Sequence, residues 1–256
     1  MRFLFVIFFS FSTLFMSGCW WEEEEVRGPI SDGLSPKELY NQAKKEMEAG
    51  SYDLTIKTFE KLQAAYPASK FSMQSKLEIP YILFKREKYD EALDKLNEFI
   101  KLYPDNFSTP YAFFMRGVIS ETKSKSILDE FITDNAQRDI KSIRDSINYY
   151  IALIDKFPNS EYSQEAKTKL ISLRNILARH ELFVAIFYSK EQAYLASINR
   201  CKYIIEKFPN TPSVPAALHL IAHNYDKINA PKLAEDARRV LNASYPKYTP
   251  HYSLED

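Results

Sequence analysis

The sequence predicts an all-α protein, a solenoid of five helical hairpins, on three observations. A seventeen-residue pattern is written five times, at Ser51–Pro67, Lys88–Pro104, Ser142–Pro158, Ala193–Pro209 and Ala230–Pro246. Its fifth, ninth, twelfth and sixteenth places are four, three and four residues apart, which is the spacing of one helix face. Each copy closes on proline, and only five glycines stand among 256 residues rich in leucine, lysine, glutamate and alanine, a composition that favours helix over strand.

The fifth place is small in every copy (Thr55, Ala92, Ser146, Ser197, Ala234), so a neighbouring helix can approach closely there. The twelfth is large and apolar (Leu62, Phe99, Leu153, Ile204, Leu241) and fills the space beside it. The sixteenth is aromatic (Tyr66, Tyr103, Phe157, Phe208, Tyr245), and the proline after it pushes that residue out of the α region and ends the helix. Pattern and spacing resemble the tetratricopeptide repeat, a helix–turn–helix unit of about 34 residues. The resemblance implies a right-handed solenoid of five such units. Leu218, Ile221, Ala222 and Tyr225 extend it to the first helix of the last unit. The closing prolines lie 37, 54, 51 and 37 residues apart, so two units carry insertions. Two residues depart from the pattern. Pro80 replaces the small residue of the second unit's first helix and predicts a kink; Arg238 takes an otherwise apolar ninth place.

In chain order, residues 1–18 are expected to be an export signal: Arg2 precedes the apolar run Phe3–Phe15, which is shorter than the ~20 residues of a spanning helix. Met16-Ser17-Gly18-Cys19 resembles the bacterial lipobox, which implies lipidation of Cys19; an ordinary secretory signal is the alternative. Trp20 after the cysteine implies, in lipoproteins of this type, sorting to the periplasmic face of the outer membrane. Residues 19–34 carry Glu22–Glu25 with Gly28, Pro29 and Gly33, show no helical period, and are expected to form a flexible acidic tether. The repeat domain is expected over 35–246. Ser35 can cap its first helix, Pro36 suits the first helical position, and Glu38 can complete a capping box. Helices follow at roughly 36–48, 52–65, 71–86 and 89–102. Gly50 sits at the first hairpin turn, where a left-handed residue is needed. The third unit opens at Pro110, and a polar, irregular stretch over roughly 123–138 is expected to separate its two helices. A long helical pattern then runs from Asn159-Ser160 to about Tyr188. The tail is 247–256.

Charge excludes one class of partner. Lysine plus arginine and aspartate plus glutamate both number 34, so nothing favours nucleic acid; loss of residues 1–18 leaves a formal charge of −1. Two distant cysteines give no disulfide framework. His219 and His223, four apart, could share a metal, but no third ligand is suitably spaced and a plain polar face is the other reading, so no metal or cofactor is expected. Cys201 occupies an apolar ninth place and reads as a buried thiol. No phosphate-cradling loop, nucleophile elbow or paired-carboxylate constellation stands out, so no catalytic residue and no enzyme activity are expected. In repeat proteins of this kind the groove is lined by first helices, which would bring together Tyr40, Lys44 and Met47 with Tyr81, Phe84 and Lys85. Aromatic rings beside ammonium groups could hold a peptide with an aromatic side chain and a C-terminal carboxylate; packing between helices is the alternative use of the same residues.

The lipidated cysteine, five units and two insertions together resemble the BamD family of outer-membrane β-barrel assembly lipoproteins, over nearly all of 35–246. The specific pieces are Met115-Arg116-Gly117, Asp134 with Arg138-Asp139, the stretch LARHELFVAIFY containing Glu181, and ASINR containing Asn199 and Arg200. The resemblance implies a scaffold that holds the periplasmic domain nearest the barrel of the central insertase, beside accessory lipoproteins, through its C-terminal repeats. It implies too that the N-terminal repeats help recognise C-terminal signals of unfolded outer-membrane proteins. Glu181, Asn199, Arg200, Arg138 and Asp139 are then expected at partner contacts, with Arg200 facing an acidic residue that lysine could not grip in the same way. Two other readings stand beside it. A pilotin-like repeat lipoprotein for pilus secretin assembly would lack the two insertions. A wall-degrading enzyme would need a catalytic domain, and none follows Pro246.

Overall fold

A computed structural model of the protein describes residues 32–128 and 136–251, with side chains at all of these except 125–128 and 136–139. The expected export signal, Cys19, most of the tether, Asp134 and the last five residues lie outside the described residues, as do the side chains of Arg138 and Asp139.

The described residues form ten α-helices and no strand. Taken in chain order they make five helix–turn–helix units: α1 (Pro36–Glu48) and α2 (Tyr52–Ala65), α3 (Lys70–Lys85) and α4 (Tyr89–Leu102), α5 (Thr109–Leu128) and α6 (Ala136–Lys156), α7 (Glu161–Lys190) and α8 (Tyr194–Lys207), and α9 (Ser213–Lys227) and α10 (Pro231–Ser244). The helices of the first, third, fourth and fifth units pack on one another as hairpins. The fold is the all-α, tetratricopeptide-like array that the pattern predicts. The chain divides into two compact units, Met1–Ser72 and Met73–Asp256, with the boundary inside α3. The first holds the α1–α2 hairpin. Within the second, each hairpin packs on the next: α4 on α5, α5 and α6 on α7, α7 and α8 on α9. No helix among the described residues is long and apolar enough to cross a membrane.

Each place in the repeat has its physical counterpart. Thr55, Ala92, Ser146, Ser197 and Ala234, at the fifth place, are all fully buried, so the small residue marks where helices meet. At the twelfth place Leu62, Phe99, Leu153, Ile204 and Leu241 are buried beside them; full burial of such side chains contributes about 1.5–3 kcal/mol each. The backbone N–H of the sixteenth residue makes the last helical bond in all five copies, with Tyr66 donating to Leu62, Tyr103 to Phe99, Phe157 to Leu153, Phe208 to Ile204 and Tyr245 to Leu241. The four residues Tyr66, Tyr103, Phe208 and Tyr245 have ψ of 62°, 60°, 48° and 60°, outside the α region as the following proline requires. The freed carbonyls are taken up by hydroxyls ahead in the chain: Ser72 donates to Tyr66, Thr109 to Tyr103, Ser163 to Phe157 and Thr211 to Phe208. At the domain start, Ser35 Oγ accepts from the Glu38 N–H while the Glu38 carboxylate accepts from the Ser35 N–H at 2.8 Å, the expected capping box. The end of the tether is held to the first unit, because Lys61 pairs with Asp32 and the Tyr66 hydroxyl donates to the Leu34 carbonyl at 2.7 Å.

The structure corrects one expected boundary pair. The stretch expected to be irregular over 123–138 is helical at both ends: α5 runs to Leu128 and α6 begins at Ala136. No proline or glycine interrupts 118–128, Lys123 reaches back to Asp90 at 2.6 Å, and Ser124 donates to the Glu121 carbonyl at 2.7 Å. On the other side Ile140 extends the buried face of α6 ahead of the repeat frame, and Ile143 and Ile147 carry it on within the copy. α3 passes through Pro80 as a single helix. α7 is one unbroken helix of 30 residues, about 45 Å long at 1.5 Å per residue.

Candidate partner-binding site

The site grows out of the α7–α8 hairpin. Gln192 closes its turn in the left-handed region (φ 58°), and the Ala193 N–H returns to the Tyr188 carbonyl at 2.9 Å. The small Ser197 then lets α8 lie close on α7, its hydroxyl donating to the Ala185 carbonyl at 2.6 Å. In an antiparallel pair with that register, one turn before Ala185 lies opposite one turn after Ser197, which are Glu181 and Arg200. Arg200 Nη1 donates to Glu181 Oε2 at 3.0 Å.

A third helix completes the cluster. Arg144 of α6 places Nη2 3.8 Å from the other carboxylate oxygen, Glu181 Oε1. The carboxylate is nearly sealed, with 7% of the Glu181 side chain exposed, whereas Arg200 and Arg144 are 46% and 52% exposed. One acid therefore faces two guanidiniums, and the cluster keeps a surplus positive charge toward solvent. Neighbouring His180 is held below its ordinary value of 6.5 by burial first, and then by Arg200 and Arg144, against the opposing pull of Glu181. It stays neutral at pH 7 and adds no charge. Just behind, buried Asn224 of α9 accepts from Ser189 at 2.6 Å and donates to Ser197 at 2.7 Å, so α7, α8 and α9 share one satisfied polar network.

Of the residues expected at partner contacts, the structure brings Glu181 and Arg200 together, leaves Asn199 exposed beside them, and adds Arg144. Sequence reasoning missed Arg144 because α6 and α7 meet through tertiary packing that no local spacing encodes. The six peptide-groove candidates fall on both units. Tyr40 is 8% exposed and packs between Phe59 and Phe71, with ring centroids 5.6 and 5.5 Å away, so its ring serves the core of the first unit. Lys44 and Met47 are half-buried on α1. On α3, Tyr81 and Phe84 are half-buried, and exposed Lys85 carries its ammonium 5.6 Å from the Tyr81 ring. Tyr111, whose hydroxyl is pushed up to about 12 by burial and then by Glu78, Tyr162 and Tyr81, adds an aromatic group to that side of the second unit.

The remaining candidates behave as packing and surface groups. Cys201 is fully buried and its thiol is pushed up to about 12 by burial, the opposite of an activated nucleophile. Burial lowers His219 and His223, and among the described residues no three histidine, cysteine or acidic side chains converge as a metal cluster. Arg238, the departure at the ninth place, is exposed and pairs with Asp226 of α9.

Comparison with known proteins supplies the last observation. The YfiO family model, described as an outer membrane lipoprotein, matches residues 32–241. A protein of Neisseria gonorrhoeae named outer membrane protein assembly factor BamD is 33% identical over 219 residues, which are 85% of this chain and 82% of that one. The protein of the same name from Xylella fastidiosa is 27% identical over 236 residues, 92% of this chain and 80% of its own. Among solved structures, a tetratricopeptide repeat protein of Parabacteroides merdae is similar at 14% identity and a TM-score of 0.42, covering 84% of this chain and 80% of that one.

Proposed function

The chain belongs to the YfiO family of outer membrane lipoproteins, and from that membership we propose that it is an outer membrane protein assembly factor that works as a docking scaffold. In this reading Cys19 is lipidated and tethers the repeats to the periplasmic face of the outer membrane. The C-terminal repeats hold the periplasmic domain of the β-barrel insertase nearest its barrel. Lys44 and Met47 in the first unit, and Tyr81, Phe84 and Lys85 in the second, each take part in recognising the C-terminal signal of unfolded outer-membrane proteins.

The observation that carries the reading is Arg200. Its guanidinium is fixed at one end by the buried Glu181 carboxylate, 3.0 Å away, while 46% of the side chain stays open to an acidic group from outside. A guanidinium already oriented loses little freedom when it meets a second carboxylate. Co-purification of the insertase in mild detergent tests it. Arg200→Leu should reduce recovery of the insertase about tenfold with the helical signal in circular dichroism unchanged, and equal recovery would refute the contact.

A further inference from the structure

We propose that Arg144 and Arg200 form one two-arginine acceptor for an acidic side chain of the assembly partner, with Glu181 as the positioning residue that holds both. This rests on the reading of Arg200 above and adds Arg144, from a different repeat, and a separate role for Glu181.

The geometry separates the roles. Glu181 is too deeply buried to meet a partner itself, at 7% side-chain exposure, and a buried carboxylate needs its cations to remain in place. Its two oxygens are divided between two helices, Oε2 to Arg200 of α8 at 3.0 Å and Oε1 to Arg144 of α6 at 3.8 Å. The second distance is beyond hydrogen-bond reach, so Arg144 is drawn toward the acid without spending a donor on it. Each guanidinium offers five N–H donors, and Arg200 commits Nη1 alone to Glu181. Among the described residues, no other acid forms an ion pair with either arginine. Two cations around one anion leave one positive charge without a partner at a half-exposed surface. A second carboxylate would complete the pairing. It would meet the open edges of both forks and not displace Glu181, because Glu181 lies beneath them. Planar bidentate acceptance is what guanidinium geometry favours, and it suits a carboxylate, which the reading of Arg200 assigns to the assembly partner. The acceptor spans α6 and α8, so it senses whether two consecutive hairpins are seated correctly.

The test uses the full-length protein in detergent micelles and the purified insertase, with affinity measured at low and high salt. Arg144→Leu should weaken binding about tenfold at low salt and flatten its salt dependence, which a purely structural role would leave unchanged, whereas Glu181→Gln should weaken binding about tenfold with the salt dependence kept, because both cations remain. Arg144→Lys should restore the salt dependence and only part of the affinity. If Arg200→Leu weakens binding while Arg144→Leu and Glu181→Gln bind as the parent does, the two-arginine acceptor is wrong and the Arg200 contact stands. If Arg200→Leu also binds as the parent does, both fall. Should Glu181→Gln lose helicity, Arg144→Leu decides alone, since Arg144 is half-exposed. Loss of binding to anionic phospholipid vesicles with insertase binding intact would assign the pair to the membrane surface and overturn the proposal.

Discussion

Gly117 shows how far a single atom matters in this core. A β-carbon there would run into the ring of Tyr150 at Cε1, and Tyr150 is fully buried with its hydroxyl 3.4 Å from Glu121. The Ser146 hydroxyl meanwhile donates to the Gly117 carbonyl at 2.9 Å, so α5 and α6 touch backbone to side chain. Gly117→Ala should therefore destabilise the protein by about 1–3 kcal/mol, read as a lower denaturant midpoint, because the ring has no room to yield. An unchanged midpoint would refute the role of Gly117 in seating Tyr150. Histidines set the pH response. His180, His219 and His223 are all lowered from 6.5, by burial first. The folded chain then binds fewer protons than the unfolded one once pH falls below about 6.5, so stability drops as the solution is acidified. Melting temperature should be flat from about pH 8 to 7 and decline from about 7 to 5.5; a rise across that window would contradict the assignment.

Among the elements, the hairpin turns carry a cost the sequence conceals. Gly50, Glu87, Gln192 and Asn229 each stand one residue before a repeat copy, with φ of 75°, 59°, 58° and 56°. The next N–H in each case returns to a carbonyl five residues back, Ser51 to Glu46, Lys88 to Leu83, Ala193 to Tyr188 and Ala230 to Tyr225, all at 2.9 Å. Glycine accepts that conformation freely, whereas Glu87 and Gln192 are strained by about 1 kcal/mol. Glu87→Gly and Gln192→Gly should each raise the unfolding free energy by about 0.5–1 kcal/mol in urea titrations, and a loss at either site would show that its side chain matters more than its backbone. The third hairpin has no such turn residue in register, because α6 starts upstream of the repeat frame at Ala136. Long α7 links two sites that sequence order keeps apart: its first half packs with Phe113, Phe114 and Tyr150, and Ala185 joins the core of α8, α9 and α10.

For the whole molecule, the expected anchor is the decisive feature, and it lies outside the described residues. Several acyl chains on Cys19, each methylene contributing about 0.8 kcal/mol when buried, would hold the chain to the membrane without a spanning helix. Cys19→Ala should move the protein from the membrane fraction to the soluble periplasmic fraction; retention in the membrane would refute lipidation as the anchor. The division after Ser72 separates the α1–α2 hairpin from the other four, so the peptide-groove candidates on α1 and α3 belong to different units while the Arg144–Glu181–Arg200 cluster lies wholly within one.

By itself the sequence determined the helices, their stops and which face is buried, because these follow from spacing and neighbours within a few residues: places five, nine, twelve and sixteen on one face, and proline against the residue before it. Through the family resemblance it also singled out Glu181, Asn199 and Arg200, each by itself. Only the tertiary structure decided that Glu181 is sealed beneath Arg200, that Arg144 shares it, and that Tyr40 belongs to a core. Those outcomes depend on which helix faces lie against each other across 19 and 37 residues of chain, a matter of packing that no periodicity within one helix can express.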